Sequence, residues 1–182
     1  ERSTAMGDET TASGYASTAM GNVTTASASG SVAMGQETIA SNFTSAAFGF
    51  GSNASGITST AMGHSTVASG QYSTAIGDAS HADGQSSMAM GYATHAVSYA
   101  SLAIGRYNQS FGNATSWVST DPVFEIGIGS GADHHRHPVA TTGDAVAKGR
   151  AASTGNTRES AHRGARKNFS TAQTPRVAIT TR

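Results

Sequence analysis

The five residues Ser-Thr-Ala-Met-Gly at Ser3–Gly7 return every 14 residues, and no copy is displaced by even one position. The copies begin at Ser3, Ser17, Ser31, Ser45, Ser59, Ser73, Ser87 and Ser101. A second half follows in each unit, as in Thr-Thr-Ala-Ser-Gly at Thr10–Gly14. The unit is two seven-residue halves of the form [S/T]-x-A-x-G-x-x. Within each half, small residues alternate with others at period two, the spacing of a strand. A short fixed repeat with two brief strands per unit implies a solenoid in which each coil stacks on the next. Eight coils at about 4.8 Å per strand spacing would make a rod of roughly 38 Å.

Two other readings of a seven-residue period are weaker. A coiled coil needs apolar residues at two heptad positions with helix formers between them. Here most halves carry a glycine at their fifth position, which costs a helix about 1 kcal/mol each time. Disorder is invited by composition, since only 37% of the 182 residues are hydrophobic, below the roughly 45–50% of globular domains. The unbroken register and a large apolar residue in every unit argue against it. A chain so rich in Gly, Ala, Ser and Thr must bury small side chains or borrow surface from a partner.

The alternation assigns faces. Ser3, Ala5 and Gly7 share one phase, and Thr10, Ala12 and Gly14 continue it in the second strand. Two strands packed back to back leave room only for such residues. The expected interior is therefore Ala5, Ala12, Ala19, Ala26, Ala33, Ala40, Ala47, Ala54, Ala61, Ala68, Ala75, Ala82, Ala89, Ala96 and Ala103. The outward row of the second strand, Ser13, Ser27, Ser41, Ser55, Ser69, Asp83 and Val97, is mostly polar and suits water. The outward row of the first strand is Met6, Met20, Met34, Phe48, Met62, Ile76, Met90 and Ile104. Eight large apolar residues in line mark an interface. Burying them would contribute roughly 12–24 kcal/mol, at about 1.5–3 kcal/mol each.

The formal charge of zero is divided unevenly. Residues 1–131 hold 2 basic and 8 acidic residues, and residues 132–182 hold 9 basic and 3 acidic. The acidic part is ill suited to nucleic acid. With no cysteine there is neither a disulfide framework nor a thiolate metal site. No apolar run approaches the ~18 residues of a membrane span, so any membrane anchor is expected outside this chain.

The 14-residue Ser-Thr-Ala-Met-Gly…Thr-Ala-Ser-Gly unit resembles the YadA-like head of trimeric autotransporter adhesins. The resemblance covers residues 1–112. It implies a left-handed parallel β-roll, a homotrimer of three rolls side by side, and a place at a bacterial cell surface, with a host or extracellular-matrix receptor as partner. Ser101–Asn108 followed by Ser116–Gly131 (SWVSTDPVFEIGIGSG) resembles the end of the repeat array in bacterial tail-fibre-like proteins, ahead of an endosialidase-type intramolecular chaperone domain. After Gly131 the sequence departs from that pattern.

The organisation expected is a β-roll over 1–112, a transition or neck-like segment over 113–131, and a poorly ordered basic tail over 132–182. The fold class is all-β. His134, His135 and His137 could bind a metal, but they lack helical i, i+4 spacing and a partner set, and a basic tail explains them. Gly127–Gly131 has its third glycine misplaced for a dinucleotide loop. No cofactor, metal or nucleic acid is expected, and no catalytic residue. The function expected is a structural and adhesive surface fibre, as adhesin head or tail-fibre shaft. The alternative is a regular surface for ice or another repetitive ligand, suggested by the column Thr10, Thr24, Thr38 and Thr66.

Overall fold

The computed structural model describes residues 2–108 and 110–129. Five-residue and two-residue strands alternate: β1 (Thr4–Asp8) and β2 (Thr11–Ala12), β3 (Thr18–Asn22) and β4 (Thr25–Ala26), β5 (Val32–Gln36) and β6 (Ile39–Ala40), β7 (Ala46–Phe50) and β8 (Asn53–Ala54), β9 (Thr60–His64) and β10 (Val67–Ala68), β11 (Thr74–Asp78) and β12 (His81–Ala82), β13 (Met88–Tyr92) and β14 (His95–Ala96). Two more long strands follow, β15 (Leu102–Arg106) and β16 (Phe124–Ile128). The long strands form one parallel sheet of nine and the short strands a second of seven, each in sequence order. Every neighbouring pair from β1 to β15 is offset by one repeat, as in Ala5↔Ala19 and Met6↔Met20. The molecule is the all-β parallel solenoid that the register implied, with seven complete coils and two further long strands rather than eight equal coils.

The core consists of alanine. Ala19, Ala26, Ala33 and every seventh residue onward to Ala103 are buried. Ser17, Ser31, Ser45 and Ser59 lie inside with them, as do Thr24, Thr38 and Thr66. Three of the interior serines satisfy their hydroxyls locally: Ser17, Ser45 and Ser59 each donate to the carbonyl three residues back, at 2.7–2.8 Å, closing the corner that precedes the long strand. Two residues of the expected interior are not buried: Ala5 is exposed and Ala12 half-exposed. They belong to the first coil, which has a neighbour on one side only.

The glycines at the fourth position of the long strands β1 to β15 are not interior residues, which corrects the expected small face. Gly21 is exposed, at φ 129°, and a Cβ there would lie 1.9 Å from the carbonyl oxygen of Gly35. The column is glycine because the backbone turns through positive φ while touching the next coil. Left-handed residues then make both corners. Glu9, Val23, Glu37, Gly51 and Ser65 form one such column, and Ala16, Gly30, Thr44, Thr58 and Tyr72 the other. The corners stay in the ladder: Val23 N–H donates to the Asp8 carbonyl at 2.9 Å, and Thr44 N–H to the Ser29 carbonyl at 3.0 Å. The second strands are shorter than the five residues expected. Ser69 and Gly70 N–H both donate to the one carbonyl of Ala82, so the chain bends out of strand geometry there.

The segment after Arg106 replaces the eighth short strand with side chains. Asn108 stands where Thr94 stands one coil earlier. Its side-chain amide accepts from His95 N–H and donates to the His95 carbonyl, both at 2.7 Å, as a strand neighbour would. Ser110 Oγ accepts from Val97 N–H at 3.3 Å, and Ser98 Oγ donates to the Phe111 carbonyl at 2.6 Å. Buried Asp121 accepts from Asn113 N–H at 2.7 Å. The chain then returns to the long-strand sheet as β16, pairing Leu102↔Phe124 and Ile104↔Ile126. Part of the segment expected as a transition is thus a ninth rung. The basic tail expected over 132–182 and its three histidines lie outside the described residues.

The candidate binding face

Two outward columns cover the long-strand sheet. The first is the apolar row, Met6, Met20, Met34, Phe48, Met62, Ile76, Met90 and Ile104, now continued by Ile126. Because adjacent strands pair in register, each large side chain leans on the same position one rung away. Met20, Met34, Phe48, Ile76 and Ile104 are half-buried in that way, whereas Met62 keeps 43% of its surface exposed and Met90 38%. The second column reads Thr4, Thr18, Val32, Ala46, Thr60, Thr74, Met88, Leu102 and Phe124. Neither column holds a charged residue over nine rungs. Charges begin at the strand ends, with Asp8, Asp78 and Arg106.

The short-strand sheet presents the opposite chemistry. Ser13, Ser27, Ser41 and Ser69 are exposed there, and Ser55 half-exposed. Near its C-terminal end, Asp83 receives the Ser69 hydroxyl on one carboxylate oxygen and lies 2.5 Å from His95 Nε2 on the other. The His95 imidazole holds the Asp83 carboxyl below its ordinary value of 3.8, against an opposing push from partial burial. The hydroxyl and the imidazole both engage the carboxylate rather than each other, so Ser69 is not poised as a nucleophile with a base. His81 meets His95 edge to face, with ring centroids 5.5 Å apart. Among the described residues no group of three His, Asp or Glu side chains is arranged to hold a metal. On the corner beside the apolar face, His64 pairs with Asp78 at 2.7 Å and stacks on Phe50 at 5.3 Å.

Phe124, Ile126 and Ile128 were not among the expected interface residues. The signal was present as Phe-Glu-Ile-Gly against Leu-Ala-Ile-Gly, aligned by Gly127↔Gly105. It was hidden by a spacing of 22 residues instead of 14 and by a glutamate at an alanine position. Glu125 is buried in place of the next interior alanine. Asn108 Nδ2 donates to its Oε2 at 2.7 Å and Ser110 Oγ to its Oε1 at 3.0 Å.

The YadA head domain repeat matches residues 1–24, 12–38, 40–66, 54–80 and 82–108, more than half of the chain. The chain belongs to the YadA head repeat family. No match was found among curated proteins. As a YadA-type head, the roll is an adhesin-type segment of a cell-surface fibre. The match ends at residue 108, where Asn108 begins to replace the short strand, and β16 lies beyond it.

Proposed function

We propose that this YadA head segment is a non-catalytic adhesive fibre element that works as a homotrimer, with the apolar columns of the long-strand sheet between subunits. The observation that carries the reading is the outward row from Met6 to Ile126. It holds nine large apolar residues in line, in a pair of columns with no charge, while the interior behind it is already filled by alanine. Leaving such a row in water forfeits the largest side-chain contribution available to the chain. Trimeric adhesins carry heads of this family, which supports three copies rather than two. The polar sheet then faces outward, where a host or matrix receptor would reach it. A bacterial adhesin head and a tail-fibre shaft share this geometry, and the tail-fibre likeness of residues 116–131 keeps the second within the same class.

The test is asymmetric. Met34→Asp with Met62→Asp places carboxylates in the contact, at a cost of several kcal/mol per unpaired buried charge. Ser13→Asp with Ser41→Asp puts the same charges on the polar sheet, where each change stays within about 0.5 kcal/mol. Sedimentation should show a trimer for the parent chain and the serine variant, and a monomer for the methionine variant. A methionine variant that keeps the trimer mass overturns the reading. The second reading, a regular surface for ice or another repetitive ligand, has less behind it because Thr24, Thr38 and Thr66 are buried. A thermal-hysteresis measurement separates the two.

A further inference from the structure

The apolar face is not uniform along the roll. Over the first six rungs the column beside the methionine row holds Thr4, Thr18, Val32, Ala46, Thr60 and Thr74, so the strip is one large residue wide. From the seventh rung it changes to Met88, Leu102 and Phe124. The strip there is two large residues wide; the strand-end column beside it, which ends in Ile128, is mixed, with Phe50 and Tyr92 as well as Asp8, Asp78 and Arg106. The ninth rung is also held firmly. Glu125, between Phe124 and Ile126, points into the roll and is fixed by Asn108 and Ser110. Side chains alternate across a strand, so anchoring Glu125 inward fixes Phe124 and Ile126 outward.

We propose that association between copies of this chain is concentrated in the last three rungs, and that its strongest part includes β16, beyond the end of the repeat match. The proposal rests on the reading that the long-strand sheet is where subunits meet. A second copy is the occupant that fits. Copies aligned in parallel place each rung against the same rung, so wide apolar rungs meet wide ones and threonine rungs meet threonine rungs. The two columns are continuous with the row of the head repeats and hold no charge, whereas Asp8, Asp78 and Arg106 lie in the strand-end column beside them. A contact graded this way closes first where the apolar area per rung is greatest, and the threonine rungs then align behind it.

The experiment compares two pairs in one column of the full chain. Ile104→Asp with Ile126→Asp lies in the wide rungs, and Met20→Asp with Met34→Asp in the narrow ones. Sedimentation equilibrium over a concentration series reads self-association, and far-ultraviolet dichroism reads whether the strands persist. The C-terminal pair should weaken self-association at least about 100-fold and the N-terminal pair no more than about tenfold. The milder pair Ile104→Ser with Ile126→Ser gives the same ranking against Met20→Ser with Met34→Ser if a charged variant loses its strands. Equal losses from both ends, or a larger loss from the N-terminal pair, overturn the gradient and leave the trimer reading standing. A parent chain that sediments as a monomer at micromolar concentration overturns both.

Discussion

At the residue scale the roll depends on backbone conformations that most residues avoid. Among the described residues thirteen other than glycine have positive φ, and they fall in the two corner columns. Val23, Thr44 and Thr58 are costly among these, because a β-branched side chain is poorly accommodated in the left-handed region. Val23→Asn should raise stability by roughly 1 kcal/mol, read as a higher midpoint of thermal unfolding. Gly63→Ala should do the reverse by at least about 2 kcal/mol, as its Cβ would sit 2.0 Å from the Gly77 carbonyl oxygen at φ 132°. Asp83 supplies a pH dependence. Its folded value is lowered, so its contribution to stability is present above the ordinary value of 3.8 and is lost as pH falls through the lowered folded value. The melting temperatures of the parent chain and Asp83→Asn should therefore converge as pH drops below that ordinary value. A difference that grows below pH 3.8 contradicts the pairing.

At the element scale the informative piece is the end of the roll. A free sheet edge exposes unpaired N–H and C=O groups that invite further strands. The short-strand sheet avoids this at β14, where the Asn108 amide bonds both backbone groups of His95. Asn108→Ala should leave them open, at a cost of about 1–3 kcal/mol. Hydrogen exchange should then quicken at the His95 amide and stay unchanged at Thr25, in the second coil. Much of this element was readable in principle. Gly127 and Ile126 repeat the long-strand motif, and the break in spacing announces an inserted loop. That the loop would lie across the short-strand edge was not readable, because a side-chain amide acting as backbone has no periodic signature.

At the scale of the whole molecule, each coil touches only its neighbours, so stability is close to a sum over coils and their interfaces. Removing residues 46–59 joins Ser45 to Thr60, a junction equivalent to Ser59–Thr60. That deletion should keep the strand dichroism and shorten the roll by about 4.8 Å in solution scattering. Removing only residues 46–52 should not be tolerated, since five-residue and two-residue strands would be set on each other. The 14-residue period, the alanine interior and the outward methionine row were all legible in the amino-acid sequence. Each is a one-dimensional regularity, and parallel stacking maps equal positions onto one another. Ser3, Ala5 and Gly7 look alike by size and alternation, yet only the folded chain separates the interior alanine from the glycine turning outward at positive φ. The ninth rung and the buried Glu125 likewise belong to the tertiary structure alone. They join residues that no repeat relates, and their pairing is selected by the open end of the roll, where the last interior alanine needs a neighbour and β15 needs a strand.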